Sequence, residues 1–242
     1  MPRFFVENDS INDGVFTLTG ENSRHISLSL RMKTGEHITV CDTEGRVSEC
    51  EITDISSDTV KARTLKVLRD NGEPPYKAVL CQAIAKGDKM DTIIQKAVEL
   101  GVYRVIPFES KNCVARIKPE ARAKKTERFR NIAKAAAKQC GRAYIPAVAP
   151  PVPFEKALSE AGGTRLFCYE NERTLHLRDA VARAQDKSEF SIFIGPEGGY
   201  SAEEAALAVS LGADAVSLGR RILRTESAAP FVLACLSYAL EV

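Results

Sequence analysis

The spacing of apolar residues changes near position 70. Before it, short runs at 4–6, 15–18, 37–41, 46–55 and 59–68 read as strands. The last two carry β-branched residues at partial alternation, with Gly45 and Ser56-Ser57-Asp58 as turns. One helical piece, 23–33, interrupts them. Short strands with close turns predict a small β-barrel. The stretch Arg69-Asp70-Asn71-Gly72-Glu73-Pro74-Pro75 joins a turn signal to two prolines that lack backbone donors, and it divides the chain into 1–72 and 73–242. After it, strands are expected at 78–84, 104–108, 165–169, 190–194 and 215–218. Helices are expected at 88–100, 119–140, 154–161, 174–185, 202–211 and 228–240. Helix 88–100 presents Ile93, Ile94, Ala97, Val98 and Leu100 on one side before Gly101 stops it, and helix 119–140 presents Phe129, Ile132, Ala133, Ala136 and Cys140. Strands alternating with helices predict an α/β domain with a mainly parallel sheet. Such sheets bind ligands beyond the carboxyl ends of their strands, here after 169, 194 and 218.

Two of those strand ends carry unusual sequences. Ser191-Ile192-Phe193-Ile194 runs into Gly195-Pro196-Glu197-Gly198-Gly199-Tyr200, after which Ser201 and Glu204 have the spacing of a capping box. A tight turn would account for the glycines, but three of them around Pro-Glu at a strand end favour close approach of a ligand to the backbone. Neither a Walker loop nor GxGxxG is present, so a phosphate cradle is not indicated. The second segment is Leu218-Gly219-Arg220-Arg221-Ile222-Leu223-Arg224-Thr225-Glu226-Ser227, with Ser227 a candidate N-cap and Pro230 in the first turn. A surface loop explains its charges but not its two leucines and isoleucine. Apolar side chains with free backbone groups suit an adenine ring, and arginines suit a charged substrate beside it.

Composition narrows the class. The chain has 242 residues, 44% of them hydrophobic and 27% charged, enough for a sizeable core. No apolar run approaches the length of a membrane span, and the first residues do not read as a signal peptide, so no membrane is expected. Seven cysteines without CxxC pairs, and only three histidines, predict a reducing cytoplasm, no disulfide framework and no metal. Cys140 and Cys168 read as core positions. Net charge is +2, yet residues 111–142 hold eleven Lys/Arg against two Glu. Such a block suits a polyanion, and equally it forms the solvated face of a helix.

These motifs resemble the SPOUT class of methyltransferases, and within it the 16S ribosomal RNA N3-uridine methyltransferases that modify uridine 1498. Besides the two C-terminal segments, Arg3-Phe4-Phe5-Val6 and Arg24-His25-Ile26 with Leu30-Arg31 resemble that family's PUA-like RNA-binding domain. Lys86-Gly87-Asp88-Lys89-Met90-Asp91 and Gln95-Lys96-Ala97-Val98-Glu99-Leu100-Gly101-Val102 resemble its first catalytic-domain helix, and Ala135–137 with Lys138-Gln139-Cys140-Gly141-Arg142 its central helix end. Arg220 departs from the pattern, which usually has proline there. The resemblance implies a PUA-like β-barrel followed by a SPOUT parallel sheet with a deep trefoil knot. It further implies a homodimer, 16S ribosomal RNA in the small subunit as partner, and S-adenosylmethionine as donor without metal.

Residue by residue, the resemblance assigns the donor to Ile194, Gly195, Pro196, Gly199, Leu218, Gly219, Ile222 and Leu223, with Tyr169 and Glu170 as a further loop. Arg3, Arg24, His25, Arg31, Lys86 and Arg142 are candidate RNA contacts. Uridine N3 bears a weakly acidic proton, so methylation needs its removal or stabilisation of the anion. Arg224 is the candidate for the second task and Glu226 the nearest carboxylate for the first, although a salt bridge or helix-start charge explains Glu226 as well. Alternatives remain: another RNA target such as transfer RNA or a ribose 2′-hydroxyl, or a non-catalytic ribosome-assembly protein.

Overall fold

A computed structural model describes residues 1–7, 10–68, 71–184 and 188–242. Arg69 and Asp70 of the expected boundary, and Gln185 of an expected helix, lie outside the described residues. The chain forms two compact units: Met1–Glu73 with Ala137–Ile145, and Pro74–Ala136 with Pro146–Val242.

The first unit holds β1 (Arg3–Phe5), β2 (Ile11–Asn12), β3 (Val15–Thr19), α1 (Gly20–Arg24), β4 (His37–Cys41), β5 (Val47–Ile55) and β6 (Thr59–Leu68). One sheet runs β1-β4-β5-β6-β3-β2, antiparallel except where β1 joins β4. Alternate residues of β1, β3, β4, β5 and β6 meet in one buried cluster with Phe4, Phe16, Leu18, Ile38, Val40 and Ile52, so the sheet curls around its own core. The expected helix 23–33 begins earlier and ends sooner. α1 stops at Arg24 and a wide π-turn follows over His25–Ser29. The Ser23 and Ser27 hydroxyls donate back to Gly20 O (3.2 Å) and Ser23 O (2.9 Å), and such back-bonding bends a helix.

Residues 137–145 belong with this unit through a buried ion pair. Arg142 is 6% exposed, and its Nε donates to both oxygens of Glu73 at 3.2 and 3.1 Å, with Nη2 on Oε2 as well. Glu73 Oε1 also accepts the Ala143 and Tyr144 amides at 2.9 and 3.0 Å. Removing one partner of a buried pair leaves the other unmatched, at a cost of about 3–5 kcal/mol. Arg142→Met should therefore destabilise the protein by about 3 kcal/mol, the lower end because Glu73 keeps its amide donors. Urea unfolding followed by circular dichroism reads this directly, and an unchanged midpoint would remove the pair from the stability of this unit.

The second unit contains β7 (Lys77–Ala83), α2 (Lys89–Glu99), β8 (Val102–Glu109), α3 (Pro119–Cys140, to residue 136), β9 (Ala147–Val148), β10 (Val152–Pro153), α4 (Phe154–Glu160), β11 (Thr164–Cys168), α5 (Leu177–Arg183), β12 (Glu189–Ile194), α6 (Ala202–Ser210), β13 (Asp214–Val216) and α7 (Thr225–Leu240). Its sheet runs β10-β8-β7-β12-β11-β13 with every pair parallel, and β9 also pairs with β8. Val79, Cys81 and Ala83 of β7 face a core with Phe108, Phe154, Phe167, Phe193 and Tyr200, which α4 and α6 close. Ala78, Leu80 and Gln82 point the other way and are also fully buried, toward α2 and α7. Burial on both faces explains why these strands read as continuous apolar runs. Gly101 ends α2 with φ +83, where a Cβ would lie 2.5 Å from Pro74 Cγ.

Three expectations need correction. α5 starts at Leu177 rather than 174, because the Glu172 carboxylate captures the amides of Arg173, Thr174 and Leu175 at 2.9, 2.6 and 3.2 Å and holds 173–175 as a loop. α7 begins at Thr225, so Ser227 is not its cap. The Arg224 carbonyl accepts from Ser227 N and Ala228 N at 2.8 and 2.9 Å, and Pro230 falls past the first turn, leaving the Glu226 carbonyl without its helical donor. Cys140 is exposed, since the buried side of α3 is Thr126, Phe129, Ala133, Ala136 and Ala137; Cys168 is buried as expected.

Candidate functional site

The carboxyl ends of β11, β12 and β13 lie side by side, because β11 pairs with both neighbours in register. Each strand releases a loop at this edge. The β13 exit is stitched to the β11 loop: Ser217 N donates to Leu175 O at 2.8 Å, Leu177 N to Ser217 O at 3.1 Å, and Tyr169 N to Val216 O at 3.1 Å. Glu172 fixes the same loop, and the Thr174 hydroxyl together with the loop amides holds its carboxyl down at about 2.

The β12 loop is shaped by its glycines. Gly195 lies against Tyr200, whose ring a Cβ would meet at 2.9 Å. Gly199 has φ +67, and a Cβ there would fall 2.0 Å from Glu170 Oε1. Tyr200 is buried against Phe167, with ring centres 4.2 Å apart, and burial pushes its hydroxyl well above the usual range. The capping box expected at Ser201 and Glu204 is present: Ser201 Oγ accepts from Glu204 N at 3.2 Å, and Ser201 N donates to Glu204 Oε2 at 2.9 Å. Glu204 further accepts from Ser110 Oγ and Lys111 N, which ties the start of α6 to the end of β8.

Between these loops lies a cavity of about 640 Å³. All ten residues that the resemblance assigned to the donor line it: Tyr169, Glu170, Ile194, Gly195, Pro196, Gly199, Leu218, Gly219, Ile222 and Leu223. Arg224 lines it too, with Arg173, Arg220 and Arg221. Arg220, Arg221 and Arg224 are exposed and, among the described residues, form no salt bridge, although the Arg224 charge helps lower the Glu226 pKa. Leu218 and Leu223 are partly buried, whereas Ile222 is 83% exposed. The volume is within the range of small-molecule sites, and the lining combines apolar side chains, open backbone and a few charges.

Glu226 is set differently. Its Oε2 lies 3.2 Å from Lys89 Nζ and is buried without a hydrogen bond, while the same ammonium sits 3.1 Å from Glu197 Oε1. Its own backbone N–H and the Lys89 cation lower the Glu226 pKa, which weakens it as a general base.

Reading the sequence missed Gln82 and Thr225. Gln82 Nε2 donates to Thr225 Oγ1 at 2.9 Å, and Thr225 Oγ1 donates to Gly195 O at 2.8 Å, so a buried relay joins β7, the β12 loop and α7. A lone glutamine inside an otherwise apolar parallel strand was the available signal, because a buried amide demands a partner.

The RNA candidates divide between the two units. Arg3, Arg24, His25 and Arg31 belong to the first unit and Lys86 to the loop after β7 of the second. Arg24, His25, Arg31 and Lys86 are exposed, while Arg3 donates to Gly141 O. Arg142 is a correction: it is buried and forks onto Glu73, so its charge serves the fold. The basic block is likewise more neutral than its composition. Lys111, Arg122, Arg128, Arg130, Lys138 and Arg142 each pair with a carboxylate.

Fold and cavity together define a parallel α/β domain with a small-molecule site at its carboxyl edge, following a curled β unit. Residues 72–237 match the model of an RNA methyltransferase domain, and residues 18–65 that of an RNA methyltransferase PUA domain. The chain belongs to this RNA methyltransferase family. It is 32% identical over 250 residues to the ribosomal RNA small subunit methyltransferase E of Bacillus subtilis, covering 100% of this chain and 98% of that one. Among solved structures, the ribosomal RNA small subunit methyltransferase E of Neisseria gonorrhoeae bound to S-adenosyl methionine is 31% identical, with a TM-score of 0.86 over 99% of this chain and 98% of that one. A putative methyltransferase of Legionella pneumophila in complex with the same cofactor is 33% identical, with a TM-score of 0.84 over 98% of this chain and 97% of that one.

Proposed function

We propose that this protein transfers a methyl group from S-adenosylmethionine to N3 of uridine 1498 in 16S ribosomal RNA. The observation that carries the reading is the cavity at the sheet's carboxyl edge, lined together by the glycine loop 195–199 and the arginine-rich segment 218–224. The residues fit the donor. Leu218, Leu223 and Ile194 offer apolar walls to an adenine, and Gly195 and Gly219 offer open backbone. Glu170 adds a carboxylate to the lining, where a sulfonium is welcome. Among the described residues no cluster could hold a metal.

Bound S-adenosylmethionine supplies an already activated methyl, so the protein's work is placement and charge. Leu218–Leu223 and the β12 loop orient the donor side. The N3 proton passes to solvent water, and Arg224, exposed on the cavity lining and in no salt bridge, stabilises the uridine anion whose charge spreads onto O2 and O4. Glu226, held by Lys89, is a poor proton acceptor at this point. Arg3, Arg24, His25, Arg31 and Lys86 contact the RNA, and Arg142 leaves that set.

The proposal includes the family's trefoil knot at the C-terminal segment and a homodimer, acting on the small subunit in the cytoplasm. An apolar groove between α5 and α7 supports the second copy: Val181, Ala234 and Cys235 line it beside exposed Phe231 and Tyr238. No helix among the described residues is long and apolar enough to cross a membrane.

The test is primer extension on ribosomal RNA from cells lacking the protein. An N3-methyl removes the imino donor of Watson–Crick pairing, so wild-type RNA should stall reverse transcriptase at uridine 1498 and deletion RNA should not. A stall that persists in the deletion refutes the acceptor. A stall lost at a transfer RNA position instead would transfer the reading to that RNA.

A further inference from the structure

Lys89 lies outside every role assigned so far. It stands at the start of α2 and lines the cavity, with its Nζ 3.1 Å from Glu197 Oε1 and 3.2 Å from Glu226 Oε2. Glu197 belongs to the β12 loop and Glu226 to the first turn of α7. One ammonium therefore ties together two segments that line the cavity and that Thr225 Oγ1 also joins through Gly195 O. Glu197 Oε1 also accepts the Lys86 amide at 3.1 Å, which anchors that arm to the loop leading into α2. The Glu226 oxygen on the other arm is buried and makes no hydrogen bond, so the Lys89 charge is what matches it. Around the cluster, the Arg224 charge also acts on Glu226, and Asp88 and Asp91 of α2 are engaged by Arg128. The Glu197 carboxylate first, and then that of Glu226, raises the Lys89 pKa, so the pairing persists through neutral pH.

An exposed lysine between two carboxylates ordinarily contributes little. Here its removal would do more than lose two weak contacts. It would leave a buried carboxylate oxygen unmatched and set two anions against each other beside the donor site. We propose that Lys89 is a positioning residue that clasps the β12 loop to the start of α7 and so holds the β12 loop in place along the donor cavity. The inference rests on the methyl-transfer reading above. It assigns Glu226 to the clasp and takes it out of proton transfer.

The experiment compares wild type, Lys89→Met, Lys89→Arg, Glu197→Gln and the Lys89→Met/Glu197→Gln pair. Calorimetry measures S-adenosylmethionine affinity, and single-turnover methyl transfer at saturating donor uses small subunits from cells lacking the protein. Lys89→Met should weaken the donor Kd about tenfold, while the saturated rate stays within about threefold. Lys89→Arg, which keeps the charge, should restore affinity. The double variant should be no weaker than Lys89→Met alone, because both changes open one clasp. The clasp is overturned if Lys89→Met binds donor like wild type, if only the saturated rate falls, or if the double variant loses the product of the single losses. Wild type that binds no donor overturns the methyl-transfer reading itself, and the clasp with it.

Discussion

Arg224→Ala is expected to slow methyl transfer by about a hundredfold or more while leaving donor affinity within about twofold. Arg224 is exposed at the cavity mouth, and its role in the fold is carried by its backbone: the carbonyl caps α7 by accepting from Ser227 N and Ala228 N. Alanine keeps that carbonyl, so the loss isolates the side chain. The guanidinium is planar and always charged, and it can meet the uridine anion with two parallel donors. Arg224→Lys should therefore recover only part of the rate, because a point charge lacks the fork. Single-turnover kinetics at saturating S-adenosylmethionine separate the chemical step from binding. An unchanged rate in Arg224→Ala would take this residue out of the mechanism, and a loss confined to donor affinity would make it a donor contact instead.

Gly199→Val should abolish donor binding, with affinity lost by about a hundredfold or more. Its φ of +67 is strained for a β-branched residue, at a cost of about 1–3 kcal/mol. The added Cβ would also meet Glu170 Oε1 at 2.0 Å, inside the cavity wall. Glu170 can swing aside only by leaving its place along the donor site. The control is Gly212→Val, at the end of α6: φ is +82 and no atom lies within 4 Å of the added Cβ. That variant carries similar backbone strain away from the cavity, so it should lose stability and keep the donor. Equal donor binding by both variants would mean the Gly199 turn does not shape the site.

Much of the fold was legible because its signals are periodic. β6 and the whole of α3 lie where the alternation and the 3.6-residue spacing put them, and β4 where a short apolar run was read as a strand. The two-residue strands β2, β9 and β10 were not legible, since a pair of residues has no period. Helix starts were misread where side chains compete for the backbone. Glu172 shortens α5 from its N-terminal side, and the Thr225 hydroxyl, engaged by Gln82 and Gly195, holds the first turn of α7 that looked like loop. The cavity residues were legible for another reason. Glycines and arginines grouped at strand ends marked a ligand site, while the assignment of individual residues to the donor came from the family resemblance. Arg142 and Glu226 show the limit. Each carried a charge that sequence reading offered to a substrate, and each meets a partner distant in the chain, Glu73 for one and Lys89 for the other. Ion pairs between remote segments leave no local pattern. The same holds for the basic block, where at least six cations are matched by acids and the field available to RNA is weaker than its composition implies.

The most direct test of this account is calorimetric titration of the wild-type protein with S-adenosylmethionine. The cavity between the glycine loop and the arginine-rich segment should take up one donor per chain, saturably, with no added metal. A titration without saturable heat, confirmed by the absence of any ligand-induced rise in Tm, would contradict the donor site on which the proposed methyl transfer depends.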